Sequence, residues 1–173
     1  MKILKNVLLV FLMSLAIMSC KKDDDGGDDP QGGEGTLTAK VNGSNFSSLE
    51  IATTANQSGG GTNVTVTIQG SDADGKGIFL IINAFDGVGT YEITDENVFI
   101  TANYIEANVS NPANSQTWNA PYTDSGVVGE IKISETTDTT IKGTFNFNAK
   151  NVNGDQSIKN ITEGSFTMDL KQN

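Results

Sequence analysis

The chain has 173 residues, 21 acidic and 11 basic, for a net charge of −10, with no histidine and a single cysteine. That balance excludes nucleic-acid binding, which needs basic patches to neutralise phosphate, and an electrostatic grip on anionic lipid. The missing imidazoles and the single thiol exclude Ser/His/Asp and Cys/His nucleophiles, thiolate or imidazole zinc sites, His-ligated iron and internal disulfides, so no cofactor is expected.

Chain order begins with MKILKNVLLVFLMSLAIMSC, in which Lys2 and Lys5 precede an apolar run over residues 7–18 and Ser19 precedes Cys20. A spanning helix needs ~20 consecutive apolar residues, and this run is shorter, so residues 1–19 read as a secretion signal that is removed. Ile17, Met18, Ser19 and Cys20 resemble the lipobox of bacterial lipoproteins. The resemblance implies a diacylglycerol on the Cys20 sulfur and Cys20 as the first mature residue; the alternative is an ordinary signal with a free thiol. Loss of Lys2 and Lys5 with the signal takes the net charge from −10 to −12.

Residues 21–35, KKDDDGGDDPQGGEG, contain no apolar side chain. They cannot bury a core, so residues 20–35 read as a lipidated cysteine on a solvated tether with a reach of ~20 Å. Lysine followed by acids directly after the cysteine also resembles the signal that sends Bacteroidetes lipoproteins to the outer face of the outer membrane. That implies a lipid-anchored protein facing the cell exterior; the alternative is that the acids only hydrate a linker.

Residues 36–173 read as one domain built on period-two alternation. Leu37, Ala39 and Val41 form the first inward set, and Asn42-Gly43 supplies the turn after it. Val64, Val66 and Ile68 form the next, followed by a turn at Asp74-Gly75. Residues 78–85, IFLIINAF, are apolar on both faces and predict a central strand covered on each side. Asp86-Gly87 is the next turn, and Tyr91 and Tyr104 on later strands are expected in the core. Residues 108–126 read as a long irregular loop, holding two prolines and the only tryptophan. Val127, Gly129, Ile131 and Ile133 resume the alternation. Ile141, Gly143, Phe145, Phe147 and Ala149 continue it, and Phe166, Met168 and Leu170 end it after a turn at Asn153-Gly154.

Turns of this kind make consecutive strands antiparallel neighbours, and a sheet with one wet face must cover the other. The expected fold is all-β, an antiparallel β-sandwich of about eight to ten strands, with a small calycin-like β-barrel as the alternative.

TLTAKVNGSNF, GVGTYEI, GVVGEIKIS, IKGTFNFNAKN and ITEGSFTMDL together resemble an uncharacterised family of Bacteroidetes lipoproteins, catalogued as a domain of unknown function. The likeness spans nearly all of residues 35–171. It implies localisation and fold class and carries no catalytic residues.

Four residues of the long loop suggest a shallow sugar site: the rings of Trp118 and Tyr122 with the polar groups of Asn119 and Asp124. The competing reading buries Trp118 at the end of the core with one partner for its N–H. SDADGKG, residues 71–77, imitates a calcium loop but puts Lys76 and Gly75 in the wrong places, so it reads as a hairpin turn and no metal site is expected. Asp95 and Glu96 read as a turn. Asp138-Thr139-Thr140 resembles a short O-glycosylation motif of exported Bacteroidetes proteins, on Thr139. The expected function is a surface-exposed binding or structural module with a glycan or protein partner, and not an enzyme. The alternatives are a carboxylate-based glycoside hydrolase, which needs two facing acids, and a lipophilic-ligand carrier, which needs an open apolar interior.

Overall fold

The computed structural model describes residues 34–173; the expected signal, Cys20 and most of the tether lie outside them. The strands are β1 Thr36–Val41, β2 Ser44–Ser47, β3 Thr53–Ser58, β4 Thr65–Ser71, β5 Lys76–Asn83, β6 Gly89–Thr94, β7 Ile100–Glu106, β8 Gln116–Ala120, β9 Val127–Thr136, β10 Thr140–Lys150 and β11 Ile158–Gln172. Single 3-10 turns stand at Glu50–Ala52 and Pro112–Asn114. No helix among the described residues is long and apolar enough to cross a membrane.

The hydrogen-bonded order is β2-β1-β11-β3-β4-β5-β7-β8-β10-β9-β6, and β11 also pairs with β10. That extra ladder folds the sheet back on itself. One layer is β2-β1-β11-β10-β9-β6 and the other β3-β4-β5-β7-β8. They meet at one corner through β11 and β3, the only parallel ladder described, and at another through the single pair Lys150 and Asn119. The result is all-β and sandwich-like rather than a clean barrel, with eleven strands among the described residues where about eight to ten were expected.

The inward set expected on β10 is buried throughout, as are Phe166, Met168 and Leu170 on β11. Three phenylalanines there lie directly opposite glycines across a ladder: Phe145 faces Gly164, Phe166 faces Gly143 and Phe147 faces Gly129. A ring covers the bare backbone that each glycine leaves, so the aromatic cluster settles low on its own sheet. Phe145 sits between the other two, with ring centroids 6.2 Å from Phe147 and 6.3 Å from Phe166.

Several expectations need correction. Val127 is 62% exposed and Val128 is buried instead, because the β6–β9 register slips between Ile93 and Thr94 and the bulge turns the valines over. A second bulge interrupts β11, where Glu163 adopts φ 51° and its carboxylate meets the Lys40 ammonium at 2.7 Å. The expected neighbour relation fails at Asp86-Gly87: the strands on either side, β5 and β6, belong to different layers, and β6 pairs with β9. At Asn153-Gly154 neither residue takes positive φ; Gln156 does, at 62°, in a wider loop. Asn42 and Gly43, by contrast, take φ 49° and 81° and form the tight hairpin between β1 and β2.

Residues 108–126 are not one irregular loop, because they contain β8, paired with β7 over five positions. Only Trp118 and Ala120 of this strand point inward, so the alternation is too short to stand out between two prolines. β5 is central in its layer, between β4 and β7, yet its second apolar face is not covered: Phe79 and Ile81 both remain accessible.

Candidate binding face

The uncovered side of β5 belongs to a continuous surface. In β3, β4, β5, β7 and β8 one parity of side chains enters the core, including Ala55, Ile68, Leu80, Tyr104 and Trp118. The other parity points out, and the register aligns it into rows. Thr54 lies opposite Gln69, Gln69 opposite Phe79, Phe79 opposite Asn103 and Asn103 opposite Asn119. Beside this row run Asn56, Thr67, Ile81 and Thr101 on one flank, and Ser71, Gly77, Ile105 and Thr117 on the other. At about 4.8 Å between strands, the five-strand row is about 19 Å long.

No member of these rows is charged, in a chain of net charge −10. The opposite layer differs: β6, β9 and β10 turn Glu92, Glu130, Lys132 and Lys142 outward, with Glu92 directly across from Glu130 on the edge of the sheet. Phe79 leans along its strand over Gly77, where a β-carbon would stand 3.1 Å from the ring's Cε2. The side-chain amides of Gln69, Asn103 and Asn119 have no hydrogen-bond partner among the described residues. An aromatic ring flanked by unengaged amides can stack on an apolar surface and exchange hydrogen bonds at its rim.

A family model described as "Domain of unknown function (DUF6252)" matches residues 33–168. The chain belongs to the DUF6252 family. No curated protein and no solved structure matches it.

The four residues proposed from the sequence do not converge in this DUF6252 domain. Trp118 points into the core at 4% exposure and donates its Nε1–H to Ser157 Oγ at 2.9 Å. Its ring is therefore not the open stacking surface that a sugar site in the loop requires. Asn119, the next residue, points outward and ends the uncharged row. Tyr122 packs partly against the core beneath the Lys150 ammonium, 5.6 Å from its ring centroid. Asp124 is exposed on a turn, at φ 56°. Gln69, Phe79 and Asn103 were not singled out from the sequence, because only the register between strands assembles them.

At one end of the sandwich, Lys159 closes the space between the layers. Its ammonium lies 4.5 Å from the Trp118 ring centroid and 5.5 Å from that of Tyr104, and it donates to Glu106 Oε1 at 2.6 Å. Glu106 Oε1 also accepts from the Tyr104 hydroxyl at 3.1 Å. The recess here, about 230 Å³, contains a second acid, Asp72, whose Oδ1 accepts the N–H groups of Asp74 and Lys76 and so shapes the hairpin turn expected there. Both carboxylates are thus engaged in holding structure. Asp95 likewise accepts the N–H groups of Ser125 and Gly126 from within its turn.

Burial, then the Glu106 charge and hydrogen bond, push the Tyr104 phenol well above its ordinary value of 10.0. Burial also raises Tyr91, whose hydroxyl donates to the Gly87 carbonyl at 2.8 Å. A folded-state pKa above the unfolded one gives stability that is complete below the unfolded value and is lost as pH rises past it. The urea midpoint is therefore expected to fall as pH rises from about 10 to about 12, and less steeply in Tyr104→Phe. Equal slopes for the two proteins would contradict this.

Proposed function

We propose that this protein is a binding module of the cell envelope: a Bacteroidetes-type lipoprotein, anchored through a lipid on Cys20 at the outer membrane, facing outward, and taking a neutral partner of the glycan class on its uncharged sheet face. The carrying observation is the contrast between that face and the rest of the molecule, since a strongly acidic surface repels anions and a charge-free one offers no ion-pair partner. Uncharged hydroxyl-bearing ligands match threonine and amide rows without a buried charge to compensate. The reading is non-enzymatic, supported by the absence of histidine from the sequence and by the structural engagement of Asp72, Asp95 and Glu106. A carrier role has less support, because Tyr104, Trp118, Phe145, Phe147 and Phe166 occupy the space between the layers.

Anchoring is tested by growing cells with an alkyne-tagged fatty acid. Wild-type protein is expected to take up the label and partition into detergent, and Cys20→Ala to do neither. Label in the variant, or an unlabelled wild type, refutes the anchor. Binding is tested by retention on immobilised neutral polysaccharide at low and high salt. Retention should be unaffected by salt, and retention only on charged polymers would refute the reading.

A further inference from the structure

Building on the reading that the uncharged face is the binding surface, we infer that its ligand is a linear neutral glycan lying across the strands, one sugar unit to each strand, along the row Thr54, Gln69, Phe79, Asn103 and Asn119. Three observations fix this direction. The row is continuous in register through five strands, so its groups recur at the inter-strand spacing of about 4.8 Å, close to the length of a pyranose unit. Along each strand the neighbouring outward groups are less suited: Gln69 is flanked by Thr67 and Ser71, and Phe79 by Ile81 and Gly77. Within this face the unengaged amides, Gln69, Asn103 and Asn119, all stand in this one row, on both sides of the only aromatic ring it contains, whereas Asn56 on the flank is bonded to Thr54.

The chemistry follows from the arrangement. The Phe79 ring, tipped over Gly77, offers a stacking surface to the C–H face of a central sugar. Gln69 on one side and Asn103 and Asn119 on the other each carry two N–H donors and a carbonyl acceptor toward sugar hydroxyls. Lys150, paired with Asn119, brings a charge at that end and limits the uncharged row. A glycan bearing carboxylate or sulfate gains nothing from the centre of the row, where no cation stands.

The test uses the full chain in detergent micelles and calorimetric titration with β-1,4-linked gluco-, manno- and xylo-oligosaccharides from disaccharide to hexasaccharide. For at least one series, affinity is expected to rise with length and to level off at about five units, the number of strands crossed. Asn103→Ala and Asn119→Ala are each expected to weaken binding about fivefold, and Phe79→Ala about tenfold. Thr144→Ala on the opposite layer should leave it unchanged, with circular dichroism confirming the fold of each variant. Binding of a neutral oligosaccharide that saturates at the disaccharide, or that is indifferent to Phe79 and Asn103 in folded variants, overturns the crosswise site and leaves the broader reading standing. Failure of every neutral probe overturns both.

Discussion

Substituting valine for Gly164 is expected to lower the domain's stability by about 3 kcal/mol or more, enough to unfold a marginal domain at ambient temperature. A β-carbon at this position would stand 2.5 Å from Phe145 Cδ2 and Cε2 and 2.5 Å from the Phe145 carbonyl oxygen. The ring has no free direction, because Phe147 and Phe166 hold it from both sides, and the carbonyl belongs to β10 itself. The β10–β11 ladder, the most central in the layer, must therefore open. Gly60→Ala is the matched control, since nothing lies within 4 Å of its β-carbon position and its φ is not positive. Urea unfolding should show a sharply reduced midpoint for Gly164→Val and a shift within about 0.5 kcal/mol for Gly60→Ala. Equal midpoints for the two would remove the Phe–Gly pairing as an organising element of the core.

Trp118→Ala is expected to cost about 3–5 kcal/mol, the usual loss when a large buried ring leaves a cavity. The ring is 4% exposed, 5.7 Å from Tyr104 by centroid and directly under Lys159. Its removal also leaves the Lys159 ammonium with only the more distant Tyr104 ring and exposes the end of the core to water. Trp118→Phe should retain most of the stability. It loses the N–H bond to Ser157, whose hydroxyl keeps its 2.6 Å bond to Asp155, and this costs about 1 kcal/mol. Thermal melts followed by circular dichroism separate the two variants. A Trp118→Ala protein as stable as wild type would place the ring outside the core and restore the loop sugar site.

The parts of this fold that a single sequence discloses are those with long, strict alternation. IKGTFNFNAK states its two faces plainly, and every expected inward residue is buried. What the sequence hides depends on partners far away in the chain. β8 has only two inward residues, and Val127 exchanges places with Val128 because of a slip against Thr94, more than thirty positions earlier. The uncharged row is hidden for the same reason. Gln69, Phe79 and Asn103 look like ordinary outward residues of three strands until the registers are known, and Asn119 reads as a loop residue beside Trp118 rather than as the end of their row. Apolar residues on the second face of β5 were the one local clue. They suggested a covering layer, whereas the side chains beside them, amides and hydroxyls, suit a face left open to a ligand.

β11, the last strand in chain order, pairs with β1, β3 and β10, and so joins the first segment of the domain to the two layers. Until residues 158–172 are available, β1 has only the four-residue β2 beside it, and β3 lacks its outer partner. Contacts this distant in the chain form late and slowly. β3, β4, β5, β7 and β8 pair with one another, and β9 with β10, without β11, so each layer can begin to form alone while closure of the sandwich waits for residues 158–172. One C-terminal strand thus acts as the clasp that joins two sheets otherwise linked only by the pair Lys150 and Asn119.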